Sequence, residues 1–166
     1  MTNGTDSIAE LFRKYGDEIF RTCFLILKNR ESAEDAVMDT YIRAMEKMGS
    51  FRGDATAKTW LTRIAINICK DALKSGAHKY AYDGEFPETL AAKDELLGLD
   101  LKHAVSDAVR ALPDNYREAA VLHYYNGFTI KECAKIAGVP QTAMAYRIRK
   151  AGELLREALG DWYFDN

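Results

Sequence analysis

The chain has 166 residues, 48% of them hydrophobic, and a formal net charge of −2, which allows one medium domain or two small ones with modest cores. That balance excludes a uniformly basic nucleic-acid coat, and the charge is unevenly spread. Residues 1–75 carry 12 basic and 11 acidic side chains, 76–110 carry 4 and 7, and 111–166 carry 7 and 7, so the acid excess sits in the middle.

Apolar residues recur at helical spacing almost throughout, without sustained alternation, so the expected fold is all-α. Ser7 and Glu10 form a capping box opening a helix whose apolar side is Ile8, Leu11, Phe12, Tyr15, Ile19, Cys23, Ile26 and Leu27. KNRES ends it. Ser32 is placed to cap a second helix, with Ala33, Val37, Thr40, Tyr41, Ala44 and Met48 inward and Glu34, Asp35 and Asp39 near its first turns, where carboxylates suit the helix dipole. GSFRGDAT interrupts the pattern. A third helix starts near Lys58 and buries Trp60 or Leu61, then Ile64, Ala65, Ile68 and Ala72.

SGAHKYAYDGEFPETLAAKDE has no apolar period and reads as a tether. Beyond it, Leu101, Val105, Ala108 and Leu112 form a stripe ended by Pro113, DNYREAAVLHYY forms another helix, and Gly127 stops that one. The expected organisation is two small helical domains, 1–76 and 96–166, joined by a flexible acidic linker, 77–95. Cys23, Cys69 and Cys133 stand apart among apolar neighbours, which predicts reduced core thiols and no paired-cysteine metal site. The N-terminal MTNGTDSIAE lacks a basic patch followed by an apolar run, and no stretch approaches the ~20 apolar residues of a membrane span. A soluble cytoplasmic chain without membrane insertion is expected.

Thr129 and Glu132 make a second capping box, predicting a helix from Ile130 with Ile130, Cys133, Ala134 and Ala137 on one side. Gly138 supplies a turn and Pro140 suits the start of the next helix. There Met144, Ile148, Ala151 and Leu155 make a core-facing seam, and the opposite side presents Gln141, Thr142, Ala145, Tyr146 and Arg149, flanked by Arg147 and Lys150. Small or polar groups first and cations later suit a recognition helix that meets base edges and then phosphates. A plain helical hairpin with solvated charges is the alternative.

On the third helix Arg63, Asn67, Lys70 and Lys74 fall at i, i+4, i+7 and i+11 opposite the apolar seam, extended by Lys58 and Lys79. Such a stripe is ordinarily a solvated face. Two features point further: Phe51 and Arg52 lie in a Gly-containing loop just before it, suited to holding an unstacked base, and Asn67 is an uncharged base-edge group among cations. No nucleophile-and-base pair, metal-ligand cluster or phosphate loop emerges, since His78, His103 and His123 are scattered; neither catalysis nor a cofactor is expected.

The stretches YGDEIFRTCFLILKNRESAEDAVMDTYIRA, SFRGDATAKTWLTRIAINICKDALK and LPDNYREAAVLHYYNGFTIKECAKIAGVPQTAMAYRIRKA resemble, in order and spacing, the bacterial sigma factors of the small extracytoplasmic-function group. The resemblance covers nearly the whole chain. It implies a first domain that docks on the clamp coiled coil of the largest subunit of core RNA polymerase and captures the melted −10 element of promoter DNA. It implies a second domain that reads the −35 duplex, and an anti-sigma factor as a further partner. Glu34, Asp35, Met38, Asp39 and Tyr41 match the polymerase-docking helix. Phe51 through Lys58 match the loop that holds a flipped −10 base, and Arg63, Asn67, Lys70 and Lys74 match the strand-contacting face. Gln141, Thr142, Ala145, Tyr146, Arg147, Arg149 and Lys150 match the −35 reader, while Trp60 reads as a core anchor.

The chain also departs from the family pattern. Met38 and Asp39 stand where Gln and Glu are usual, a Trp near Met45 is missing, and Thr142-Ala143-Met144-Ala145-Tyr146-Arg147 replaces the usual Gly-Thr-Val-Lys-Ser-Arg. The lost hydroxyls and Lys imply altered −35 specificity. A stand-alone helix-turn-helix regulator and a degenerate sigma-like adaptor that occupies polymerase without reading DNA are the alternatives. The acidic tether is expected to run through a basic nucleic-acid channel and to keep the free factor off random DNA; unchanged initiation and unchanged nonspecific binding after reversing its acids to Lys would contradict that.

Overall fold

A computed structural model describes residues 4–51, 56–75 and 99–160. The expected linker 77–95, Arg52 and Lys79 therefore lie outside the described residues. Among those described, every regular element is helical, seven helices fall into two compact units, and no helix is long and apolar enough to cross a membrane.

The first unit is built on α1 (Gly4–Leu27), α2 (Arg30–Lys47) and α3 (Ala57–Ser75), each packed on the other two. Because α1 begins at Gly4, Ser7 lies within the helix instead of capping it, a correction to the capping box expected there. It ends where Lys28 takes a left-handed φ of 67° and donates its N–H to the Phe24 carbonyl at 2.8 Å. Asn29 then turns extended and its Oδ1 accepts the Ser32 N–H at 2.9 Å. The cap of α2 is thus Asn29 and not Ser32, since the short amide reaches the third helical N–H and Ser32 is carried into the buried face.

The core joins Ile8, Phe12, Ile19 and Phe24 of α1 to Ala33, Ala36 and Ala44 of α2 and to Leu61, Ile64, Ala65 and Ile68 of α3. Each large aliphatic or aromatic side chain taken out of water there contributes about 1.5–3 kcal/mol. Buried hydroxyls do not interrupt this core, because each bonds one turn back: Thr22 to the Glu18 carbonyl at 2.9 Å, Thr40 to Ala36 at 2.7 Å and Thr62 to Lys58 at 2.7 Å. Trp60 is half-buried, so Leu61 is the residue that fills the centre.

The second unit is built on α4 (Leu99–Ala111), α5 (Asp114–Ala120), α6 (Ile130–Ala137) as far as Lys135, and α7 (Gln141–Leu159), with Ile136–Gly138 counted in the first unit. The helix expected over DNYREAAVLHYY changes pitch: α5 continues as a π-helical turn, Val121–Tyr125, in which the Asn126 N–H reaches back to the Val121 carbonyl at 2.9 Å. The extra residue carries into the stop, where Gly127 takes a φ of 78° and the Phe128 N–H bonds Leu122 at 3.1 Å. Arg117 is 1% exposed; its guanidinium donates to the Leu112 carbonyl and to Asp114, both at 2.7 Å, and so pins the turn at Pro113 to α5.

The capping box of α6 forms as expected, with the Glu132 N–H donating to Thr129 Oγ1 and the Thr129 N–H donating to Glu132 Oε1, each at 3.1 Å. Its buried side is Cys133, Ala134, Ile136 and Ala137, whereas Ile130, expected inward, is exposed because it sits on the first turn beyond the packed face. Gly138 has a φ of 72°, and the Val139 N–H returns to the Ala134 carbonyl at 3.1 Å, a closure that favours glycine at this position. Pro140 then precedes α7, whose Met144, Ile148, Ala151 and Leu155 are all buried.

Candidate nucleic-acid interface

Burial of that seam turns the other side of α7 outward. Gln141, Thr142 and Arg149 are exposed, Ala145, Arg147 and Lys150 are half-buried, and Tyr146 is 50% exposed. Arg149 and Lys150 both reach Glu153, at 3.5 and 3.6 Å, and the Arg149 guanidinium lies 5.4 Å from the centre of the Tyr146 ring. Cations paired this way at an exposed surface gain only about 0–1 kcal/mol, so both remain able to exchange carboxylate for phosphate. The helix offers polar groups at its start and cations after one and a half turns.

In the first unit, Arg63, Asn67 and Lys74 of α3 are exposed and Lys70 is half-buried, opposite Leu61, Ile64, Ala65 and Ile68. Arg63, Asn67 and Lys74 of the expected stripe thus face outward, whereas Lys70 is engaged, its Nζ donating to the Ala137 carbonyl at 2.9 Å. Lys58 differs, being half-buried and paired with Glu18 of α1 at 3.1 Å. Phe51 is half-buried, with its ring tilted 40° against Trp60 at a centroid separation of 4.9 Å, so the two aromatics support one another at the start of α3. Thr56 Oγ1 accepts the Thr59 N–H at 3.2 Å and starts α3.

On α2, Glu34, Asp35, Met38 and Asp39 are exposed, and Glu34 pairs with Arg30 at 3.1 Å. Tyr41 is placed apart from them: its ring stacks on Phe12 and burial pushes its phenol above the ordinary range against the opposing pull of Arg13. Sequence reasoning missed Ile42 and Met45. With Met38 they form an exposed apolar stripe, at 60%, 48% and 49% exposure for Met38, Ile42 and Met45. Their i, i+4, i+7 spacing was the available signal, masked by the larger inward set on the same helix.

Cys133 is buried under α6 with its Sγ toward the Phe128 carbonyl at 3.6 Å, and burial pushes its thiol up to about 12. It is a packed thiol, as its apolar neighbours suggested.

Two family models match the chain: Sigma-70 region 2 over residues 11–79 and Sigma-70, region 4 over residues 102–155. The ECF RNA polymerase sigma factor SigM of Mycobacterium tuberculosis is 31% identical, over 91% of this chain and 76% of its own length. The ECF RNA polymerase sigma factor SigW of Bacillus subtilis is 29% identical, over 94% of this chain and 90% of its own. Among solved structures, the sigma factor RpoE in complex with the anti-sigma factor NepR from Bartonella quintana has the same fold, with a TM-score of 0.77 at 21% identity over 95% of this chain and 96% of that one.

Proposed function

We propose, for a chain that belongs to the extracytoplasmic-function group of RNA polymerase sigma factors and so serves transcription initiation, the following division of work among its three outward faces. The acidic and apolar face of α2, with Glu34, Asp35, Met38 and Asp39 and extended by Ile42 and Met45, docks on core RNA polymerase. The α3 face of Arg63, Asn67, Lys70 and Lys74, with Phe51 and Arg52 before it and Lys58 beside it, captures the opened −10 strand. The α7 face from Gln141 to Lys150 reads the −35 duplex. Tyr41 supports the docking helix from inside, through its stacking on Phe12.

The observation that carries this reading is that each unit buries an apolar seam and turns a polar, cation-bearing face of the same helix outward, on α3 and again on α7. On α3 the cations neutralise phosphates while Asn67 offers a donor and an acceptor to a base edge. Unstacking a base costs a few kcal/mol, and base–aromatic stacking of about 1–3 kcal/mol together with charge contacts offsets it. The chain therefore supplies binding, and the polymerase performs the chemistry, in the cytoplasm. An anti-sigma factor that covers these faces is a further proposed partner.

A second reading is favoured by one feature, the altered run Thr142 to Arg147: an adaptor that holds polymerase without reading the −35 element. Run-off transcription with core polymerase on genomic fragments separates the cases. Specific initiation is expected; stable polymerase binding without initiation would favour the adaptor, and duplex binding without polymerase would favour a stand-alone regulator.

A further inference from the structure

Within the π-helical turn Val121–Tyr125, Tyr124 is 51% exposed, yet its tip is engaged. The hydroxyl donates to the Ile148 carbonyl of α7 at 3.4 Å, and a Cβ added at Gly152, one turn further along α7, would stand 2.7 Å from that hydroxyl. Gly152 lies inside α7 without a positive φ, so its backbone does not call for glycine, and glycine weakens a helix interior relative to alanine. The missing side chain is what admits the tyrosine. Tyr124 also meets the edge of the His123 ring at a centroid separation of 5.0 Å, and His123 Nδ1 hydrogen-bonds the Phe128 carbonyl at 2.8 Å in the turn that leads to α6. One side chain thus joins the middle of α7 to the entry of the helix-turn-helix.

We propose that Tyr124 is a positioning residue for duplex reading: seated in the notch at Gly152, it holds α7 against the turn before α6 and so sets the placing of Arg149. This rests on the reading of α7 as the duplex reader. Arg149 follows Ile148 directly, so the peptide that Tyr124 bonds is the one that carries the Arg149 amide. A reading helix held in place before binding has less freedom to lose on the DNA. π-helical turns are frequent at functional sites, where one extra residue in the turn re-aims a side chain.

The test uses holoenzyme assembled from core polymerase and the full chain, titrated with a −35 duplex that the wild-type holoenzyme recovers from a pool randomised upstream of the −10 element. Gly152→Ala is expected to push the tyrosine tip out of the notch and to weaken duplex binding about two- to ten-fold. The same variant is expected to denature no earlier than wild type, because alanine favours the helix. Tyr124→Phe removes the hydroxyl and leaves the ring, whose Cζ would stand an ordinary 3.6 Å from the new Cβ. Alone it is expected to weaken duplex binding about two-fold; combined with Gly152→Ala it is expected to bind no worse than Tyr124→Phe alone. A merely structural role would not make the second substitution relieve the first. Gly152→Ala with wild-type duplex affinity, a loss that Tyr124→Phe does not relieve, or a loss matched by earlier unfolding overturns the proposal alone, so long as Arg149→Ala still weakens the duplex. If Arg149→Ala also binds as wild type does, the reading of α7 fails and the proposal with it.

Discussion

On α3 the exposed cations Arg63 and Lys74 have no acidic partner among the described residues, whereas on α7 Arg149 and Lys150 share the carboxylate of Glu153 and Arg149 also covers Tyr146. Arg63 and Lys74 thus present long side chains held by no ion pair among the described residues, with Asn67 between them, whereas Lys58 and Lys70 are each engaged. The second seats the helix that carries its proposed reading groups on the buried seam of Met144, Ile148, Ala151 and Leu155, with Arg149 and Lys150 in exchangeable pairs with Glu153. The difference suits two states of one polymer: a flexible single strand is followed by adaptable contacts, while a duplex has a fixed groove and rewards side chains already in place.

That contrast can be broken by substitution. The largest effect is expected for Met144→Ala, which empties a fully buried site under α7 and removes about 2–5 kcal/mol. Chemical denaturation followed by circular dichroism is expected to show the second unit unfolding earlier, and an unchanged profile would mean that α7 is not seated by its seam. Next, Ile42→Glu places a charge in the exposed apolar stripe of α2 and is expected to cost about 2–4 kcal/mol in polymerase affinity, with the melting profile unchanged. Retained holoenzyme assembly would remove the docking role of that stripe.

Smaller changes sharpen the comparison. Arg149→Ala is expected to weaken duplex affinity by about 1–3 kcal/mol if the guanidinium meets a base, as read by titration of a −35 duplex with holoenzyme. Thr129→Ala removes one half of the α6 capping box and is expected to cost about 0.5–2 kcal/mol of stability. The smallest is a pH effect. The unfolded Cys133 thiol begins to ionise near 9 and the native one only near 12, so the unfolded state binds fewer protons in that window and the Cys133 contribution to stability falls as pH rises through it. Cys133→Ala is expected to flatten that slope in denaturation at graded alkaline pH.

Much of this was legible before any coordinates. Period and capping placed α6, the Gly138 turn and the seam of α7, because there the local signals, Thr129 with Glu132 and a glycine with positive φ, agree with the packing. They failed at the start of α2, where Ser32 was the expected cap: the left-handed turn at Lys28 instead brings Asn29, an equally suitable residue type, into the capping position. The π-helical turn at Val121–Tyr125 left no mark, since an apolar run reads alike at either pitch. In the site, spacing alone gave the α3 and α7 faces. It did not give the exposure of Ile42 and Met45, the Lys58–Glu18 pair or the placing of Tyr116 and Tyr146 on one groove, all of which depend on which helix lies alongside.

The central claim is that strand capture and duplex reading reside in different units of one polymerase-bound chain. Holoenzymes carrying Asn67→Ala or Arg149→Ala should be compared on a promoter recovered by the wild-type holoenzyme, fully paired and premelted across the −10 element, with open complexes scored by permanganate reactivity and single-strand retention. The account predicts that Asn67→Ala fails to retain the opened strand on both templates while polymerase binding is preserved, and that Arg149→Ala is impaired at the −35 duplex but retains the opened strand normally. Equal losses for both variants on both templates, or loss of polymerase binding in step with loss of DNA, would contradict it.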